Sequence, residues 1–404
     1  MYDEIAREVV RRCRILATCS DEPGCTTRTF LSDSMHAVHA HISRWMRAAG
    51  MSVEVDAVGN IRGVYGGMSG NARRLLIGSH LDTVPCAGAF DGVLGVVMGI
   101  ALVESLRDRR LPVAVEVVGF SEEEGVRFGI PFIGSRALVG SVDAPLLAAK
   151  DGSGMSVAQA IGKFGLDVSR VAEARVSPNA VGYLEFHIEQ GPILDQLNQP
   201  LAVVERIVGR TYVDVTFIGA AGHAGTTPMH ARRDGVTGAA EWIGRVEAYA
   251  RESDALVATT GRIEAEPGAA NVIAGRCRLS LDVRHGDDAA RIGAVHQLRA
   301  WAHDIVTKRG LTLEWSPRFE HAAVAMDSRL VAGLKHAVER SGMKARLMSS
   351  GAGHDAMILA GHMPVAMLFM RTPGGLSHHP DEAVRESDVA LALAVGANFL
   401  DALD

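Results

Sequence analysis

Apolar runs of strand length that break off into ionisable side chains constrain this chain more than any other feature. Leu75 to Ile77 leads through Gly78 and Ser79 to His80 and Asp82, and Val113 to Phe120 runs into Ser121-Glu122-Glu123-Glu124-Gly125. A third run, Val181 to Pro192, carries His187 and Glu189 on alternating positions. Short apolar runs that alternate with helical patterns indicate an α/β layer, and in such sheets ligands gather where the strands end. The helices are legible too. Met35, Val38, Ile42, Trp45, Met46 and Ala49 recur every three or four residues, which gives a helix one apolar face to lay on a sheet, and Gly50 is placed to end it. Further strands are expected at Ser52 to Val58 and Ile61 to Tyr65, and a helix from about Gly92 to Leu106.

A chain of 404 residues exceeds the size at which one hydrophobic core stops growing, so two domains are expected. After His187 the pattern changes. Tyr212 to Ile218 alternates like a half-exposed strand, Gly235 to Ala250 reads as a helix, Cys277 to Val283 alternates again, and Ala290 to Thr307 reads as a second helix. This block predicts a smaller α+β domain over residues 208–324, inserted into an α/β domain made of residues 1–207 and 325–404. The tail returns to helix from Ser328 and to an apolar strand at Val365 to Met370.

Charge narrows the partners. The net charge of −6 and the scattered Lys and Arg residues lack the basic stripe of a nucleic-acid binder, so a small molecule is expected instead. Five cysteines, odd in number and without metal-ribbon spacing, predict no disulfide framework and a cytoplasmic location. Met1 to Ala17 mixes charged with apolar residues and so lacks the apolar stretch of a signal peptide. No run of about 18 apolar residues suits a membrane span.

The chemistry lies at the strand ends. His80 with Asp82 two residues on fits a metal ligand and its orienting carboxylate, although a lone histidine is more often a structural residue. Glu122-Glu123-Glu124 reads either as a solvated acidic turn or as carboxylates whose mutual repulsion a dication offsets, one ligating while a neighbour moves a proton. Ser377-His378-His379-Pro380 adds further imidazoles. Together these segments supply the mixed nitrogen and oxygen donors that suit zinc and its divalent relatives. No G-x-S-x-G elbow suggests a serine nucleophile.

The motifs GSHLDTV, AFDG, EEEGVRF, HIEQGP, GHAGTTPM, SGAGHDA and SHHPDE follow one another from about residue 78 to 382 and resemble the hydantoinase/carbamoylase family of amidases. That family is a branch of the aminoacylase and carboxypeptidase-like dimetal hydrolases. The resemblance implies a mixed-sheet catalytic domain with an inserted lid and dimerisation domain, two divalent ions, and a homodimer formed through the insert. Zinc is the first expectation, with manganese, cobalt and nickel accepted by the same ligands. It makes Asp91 the bridging carboxylate and His80 and His187 terminal ligands on one or other ion, with Glu124 and His378 completing the set. Registration on Gly125 makes Glu123 the general base, and registration on Ser377 and Pro380 favours His378 over His379. One departure is Ala87-Gly88, where relatives usually carry two glycines.

The same resemblance gives the insert a substrate role. His223 would stabilise the tetrahedral oxyanion, and Asn271 and Arg284 would hold a substrate carboxylate, which a guanidinium fork matches with two parallel hydrogen bonds. Gln190, Gly351 and His354 would line the pocket. N-carbamoyl-L-amino acids are the expected substrates, yielding L-amino acid, ammonia and carbon dioxide, with allantoate and β-ureidopropionate as alternatives. An aminoacylase or aminopeptidase would share the dimetal residues, but GHAGTTPM and the Asn271/Arg284 pair argue against it. A metal-binding protein without turnover would not require Glu123.

Overall fold

The computed structural model describes residues 2–70 and 72–403. Two compact units emerge, one formed by the chain up to Glu205 and again from Ala325, the other by Arg206–Val324. The larger unit is built on a nine-stranded mixed sheet. At its centre four strands run parallel, in the spatial order Ala114–Phe120, Arg74–His80, Ala180–Ile188 and Val365–Met370. Ile61–Tyr65 and Ser52–Val55 extend it antiparallel on one side and Leu201–Ile207 on the other. Because the four central strands share a direction, their C-terminal ends line one edge. His80, Ser121–Glu124 and His187 therefore meet there, as strand-end ligands do in open α/β sheets.

The central strands are covered on both faces, and every residue of Ala114–Phe120 and Val365–Met370 is buried. Helix Val93–Ser105 is apolar all round and buried along Val93 to Val103, as expected of a helix with no solvent face. It packs on the sheet, and the helices Tyr2–Ala17 and Glu386–Leu400 pack against it. Helix Asp33–Ala48 buries Met35, Val38, Ile42 and Met46, and Gly50 follows it with φ +77°, the left-handed stop that glycine takes readily. The charges of the N-terminal segment conceal an amphipathic helix that buries Ala6, Val9, Val10, Cys13 and Leu16. The strand expected at Ser52 to Val58 ends at Val55, because the Asp56 carboxylate accepts the N–H groups of Val58 and Asn60 and closes a turn.

The smaller unit has its own antiparallel sheet, in the order Ile263–Glu266, Arg276–His285, Gly209–Ile218 and Thr312–His321, with Val257–Thr259 also pairing Arg276–His285. In Arg276–His285 the alternate residues Cys277, Leu279, Leu281 and Val283 are fully buried, the two-residue period of a sheet covered on one face. They join Val213, Val215 and Phe217 with residues of the helices Gly235–Glu252 and Asp288–Arg309 in a separate core. The buried Trp242 indole N–H donates to the Leu298 carbonyl at 2.8 Å.

The cysteine expectation needs one correction. Cys25 and Cys86 form a disulfide with Cα atoms 4.9 Å apart, while Cys13, Cys19 and Cys277 are free. Sixty-one residues separate the pair, so only the fold aligns them. Among the described residues no helix is long and apolar enough to cross a membrane.

Candidate metal centre

Asp91 organises the edge where the parallel strands end. Its Oδ1 lies 3.2 Å from His187 Nε2 and 3.8 Å from His80 Nε2, and the two imidazole nitrogens are 3.5 Å apart. Its Oδ2 lies 3.2 Å from His378 Nε2, which in turn is 3.5 Å from Glu124 Oε1. One buried carboxylate thus faces two separate groups of donors, His80 with His187 and Glu124 with His378. In each group the donor atoms lie within 4.8 Å of one another.

The imidazoles are held ready. His80 Nδ1 is 3.0 Å from the Asp82 carbonyl and His187 Nδ1 is 2.9 Å from the Ile188 carbonyl. A carbonyl only accepts, so each Nδ1 carries the proton and each Nε2 turns its lone pair to the centre. The carboxylate of Asp82 lies 3.5 Å from the same Nδ1 of His80, and it also accepts the backbone N–H groups of Glu123 and Glu124 at 2.9 and 3.1 Å. It therefore ties the acidic turn to the loop after His80. Within that turn Glu123 and Glu124 both share a donor cluster with His80, whereas Glu122, fully buried, belongs to none of the ligand groups found among the described residues. His379 also stays outside, its side chain half-exposed and its Nδ1 accepting the Asp381 N–H.

The loop that delivers Asp91 is pinned along its length. Arg28 and Thr83 exchange two hydrogen bonds, Ala87 N–H donates to the Thr26 carbonyl, Cys86 N–H donates to the Thr27 hydroxyl, and the disulfide adds a covalent tie. The guanidinium of Arg28, 1% exposed, also donates to the carbonyls of Leu16, Cys19 and Leu81.

The electrostatics fit a dication. Burial and the neighbouring Asp91 push Glu124 up to about 7, and burial together with Glu124 raises Glu123 well above the usual carboxylate range. Burial raises Glu185 to about 7 as well. Burial also opposes the charge on Asp91, yet its hydrogen bond to His378 and the nearby imidazoles hold it low. His187 is pushed down to about 4 by burial, which keeps it a neutral donor. Crowded, largely buried carboxylates around three imidazoles, His187 held neutral and His80 and His378 drawn toward protonation by the acidic groups beside them, are a donor set that a divalent cation satisfies.

The other expected residues fall in different surroundings. The Gln190 amide N–H group reaches Asp91 Oδ1 and Oδ2 at 3.2 and 3.1 Å and lies 3.3 Å from His378 Nε2. His354 is buried beneath the centre, with its ring 4.5 Å from that of His187 and its Nε2 2.9 Å from the Ser350 hydroxyl, while Gly351 is exposed. In the smaller unit His223 and Asn271 are exposed. Nδ1 of His223 accepts the N–H groups of Gly225 and Thr226, so its Nε2 bears the proton. Two nitrogens of Arg284 are engaged by the Asp282 carboxylate at 3.0 and 2.9 Å.

Two carboxylates escaped the sequence reading. Glu185 accepts from the Ser79 hydroxyl at 2.9 Å and the Ala356 N–H at 3.2 Å, and with His187 and His354 it forms another donor cluster. Its position two residues before His187, hence on the same strand face, was the available signal. Glu382 accepts the N–H groups of Phe90 and Asp91, and no local periodicity announces a bond across that sequence distance.

Residues 76–402 match the model of peptidase family M20/M25/M40. The chain belongs to that family, and its fold is the mixed α/β fold of these dimetal hydrolases. Over its whole length it is 37% identical to allantoate deiminase 2 of Glycine max, covering 91% of that protein. Over 92% of its length it is 35% identical to the N-carbamoyl-L-amino acid amidohydrolase of Geobacillus stearothermophilus, again covering 91%. The crystal structure of a hydantoinase/carbamoylase family amidase from Burkholderia multivorans superposes with a TM-score of 0.91 at 31% identity, covering 98% of this chain and 97% of that one. The family resemblance carried by the seven motifs is borne out, and the chain is an amidohydrolase, a hydrolase of carbon–nitrogen bonds.

Proposed function

We propose that this chain hydrolyses the ureido carbon–nitrogen bond of a small ureido acid, using two divalent cations held by His80, Asp91, Glu124, His187 and His378. The observation that carries this reading is Asp91, whose two oxygens each face a separate pair of donors. Zinc suits so imidazole-rich a set, and manganese, cobalt and nickel accept the same ligands. Such a pair of ions, when bound, lowers the pKa of the attacking water and polarises the scissile carbonyl.

The chain's own groups supply the rest. Glu123, buried beside His80 and Glu124, takes the water's proton and passes it to the leaving nitrogen, which would otherwise depart as a poor anion. Asp82 keeps that base in place through its backbone N–H. Gln190, beside Asp91 and His378, together with Gly351 and His354, serves the substrate pocket in this reading. By the family resemblance, the Nε2–H of His223 would serve the oxyanion, and Asn271 and Arg284 the substrate carboxylate. Arg284 then exchanges or shares its Asp282 partner when substrate binds. A homodimer through that unit belongs to the same proposal and rests on the family resemblance, whereas a cytoplasmic location rests on the few cysteines of the chain.

Allantoate and N-carbamoyl-L-amino acids both set a carboxylate next to a ureido group. The 37% identity with a plant allantoate deiminase across the whole chain supports allantoate as the first substrate, with N-carbamoyl-L-amino acids as the second reading. Steady-state ammonia release should be measured with metal-reconstituted enzyme on allantoate, N-carbamoyl-L-amino acids and β-ureidopropionate, with N-acetyl amino acids and dipeptides followed by amino-acid release. Allantoate should show the highest kcat/KM. Turnover confined to the acetylated or dipeptide substrates would sink the ureido reading.

A further inference from the structure

We propose that Glu382 is a positioning residue of the metal centre, clamping the segment that carries Asp91 to the segment that carries His378. The inference rests on the two-ion reading above. Glu382 is 4% exposed, and both its oxygens are used. Oε1 accepts the backbone N–H groups of Phe90 and Asp91, each at 3.0 Å, and Oε2 accepts the Ser377 hydroxyl at 3.1 Å. Its carboxylate therefore bridges the residue next to His378 and the backbone of the residue that faces both donor groups. With its lone pairs aimed at these donors it joins none of the ligand clusters found among the described residues.

Two further observations fit a clamp. A Cβ built on Gly88 would come within 2.3 Å of Glu382 Cβ, so glycine at this position makes the room in which the carboxylate reaches the loop. That accounts for a single glycine in Ala87-Gly88: Ala87 only has to pair with Thr26, while residue 88 must lack a side chain. On the other side, His378 sits at φ +56°, a left-handed conformation that non-glycine residues keep only when the surroundings hold them. The bond from Ser377 to Glu382 lies immediately beside it and braces it. The clamp thus fixes the backbone on both sides of the contact between Asp91 Oδ2 and His378 Nε2.

A clamp and a mere negative charge predict different responses. Glutamine can still accept the Phe90 and Asp91 N–H groups through its carbonyl oxygen and can donate to the Ser377 hydroxyl, whereas alanine loses all three bonds. The full chain, stripped of metal, should be titrated calorimetrically with Zn²⁺. Glu382→Ala should weaken at least one of two wild-type sites by about tenfold or more, the loss typical of partners that orient metal ligands. Glu382→Gln should stay within about threefold of wild type, and Ser377→Ala should weaken the same site by an intermediate factor, roughly threefold to tenfold. Unchanged affinities in Glu382→Ala would overturn the clamp, as would an equal loss in Glu382→Gln, which would point to charge alone. If Glu382→Ala does not fold, Ser377→Ala decides: a weakened site supports the clamp and an unchanged one overturns it. Failure of the wild type to bind two ions would instead overturn the two-ion reading and remove the basis of the clamp.

Discussion

The two units carry their polar groups in opposite ways. In the larger one His80, Asp91 and His187 are buried where the parallel strands end and only His378 is exposed, with each imidazole Nδ1 of His80 and His187 bonded to a carbonyl and the acidic turn held by Asp82. In the smaller one His223 and Asn271 are exposed, and Arg284 is occupied by the neighbouring Asp282. The contrast matches the roles proposed for the two sets of groups. A dication repays burial only when its ligands are aimed before it arrives, whereas groups that grip a substrate must be reachable and able to change partners.

Substitutions should separate these roles, beginning with the largest effect. Asp91→Asn removes the charge that both donor groups share. Metal content measured by elemental analysis should fall well below the wild-type level, with activity at background. Retention of two ions would break the bridging assignment. Glu123→Gln should lower kcat by about 10²–10⁴-fold, the usual worth of a positioned acid-base group, while the metal content stays at the wild-type value. Loss of metal there would mean that base and ligand are exchanged within the acidic turn.

The smaller unit should respond more mildly and without touching the metal. His223→Ala should reduce kcat by roughly 10²–10³-fold, as loss of one oxyanion donor does. A rise in KM alone would assign it to binding instead. Arg284→Ala should raise KM by roughly 10- to 100-fold, corresponding to about 1.5–3 kcal/mol for hydrogen bonds to a charged group. The same variant should leave turnover of an esterified substrate analogue nearly unaltered, and equal losses on both substrates would refute the carboxylate role.

Much of this molecule can be read along the chain. Helix Asp33–Ala48 and strand Val365–Met370 follow from the period of their apolar residues, and the central strands announce themselves as uninterrupted apolar runs. The N-terminal helix Tyr2–Ala17 does not, because its charged residues lie between the apolar ones that face the core. Turn chemistry also outweighed periodicity at Asp56, which ends its strand before the apolar pattern does.

Sequence by itself determined the α/β class, the family, and the short list of imidazoles and carboxylates, because each is written in local periodicity or in motifs a few residues long. Tertiary structure alone decided which of these groups meet. The parallel direction of four strands brings His80, Glu124 and His187 to one edge, and Asp91 then turns one oxygen to each donor group. The same holds for the Cys25–Cys86 link, for the Asp282 partner of Arg284, and for Glu382, whose bonds to Phe90 and Asp91 span 292 and 291 residues. Hydrogen bonds and charge pairs act over a few ångströms of space, and distance along the chain says nothing of that separation until the sheet has formed.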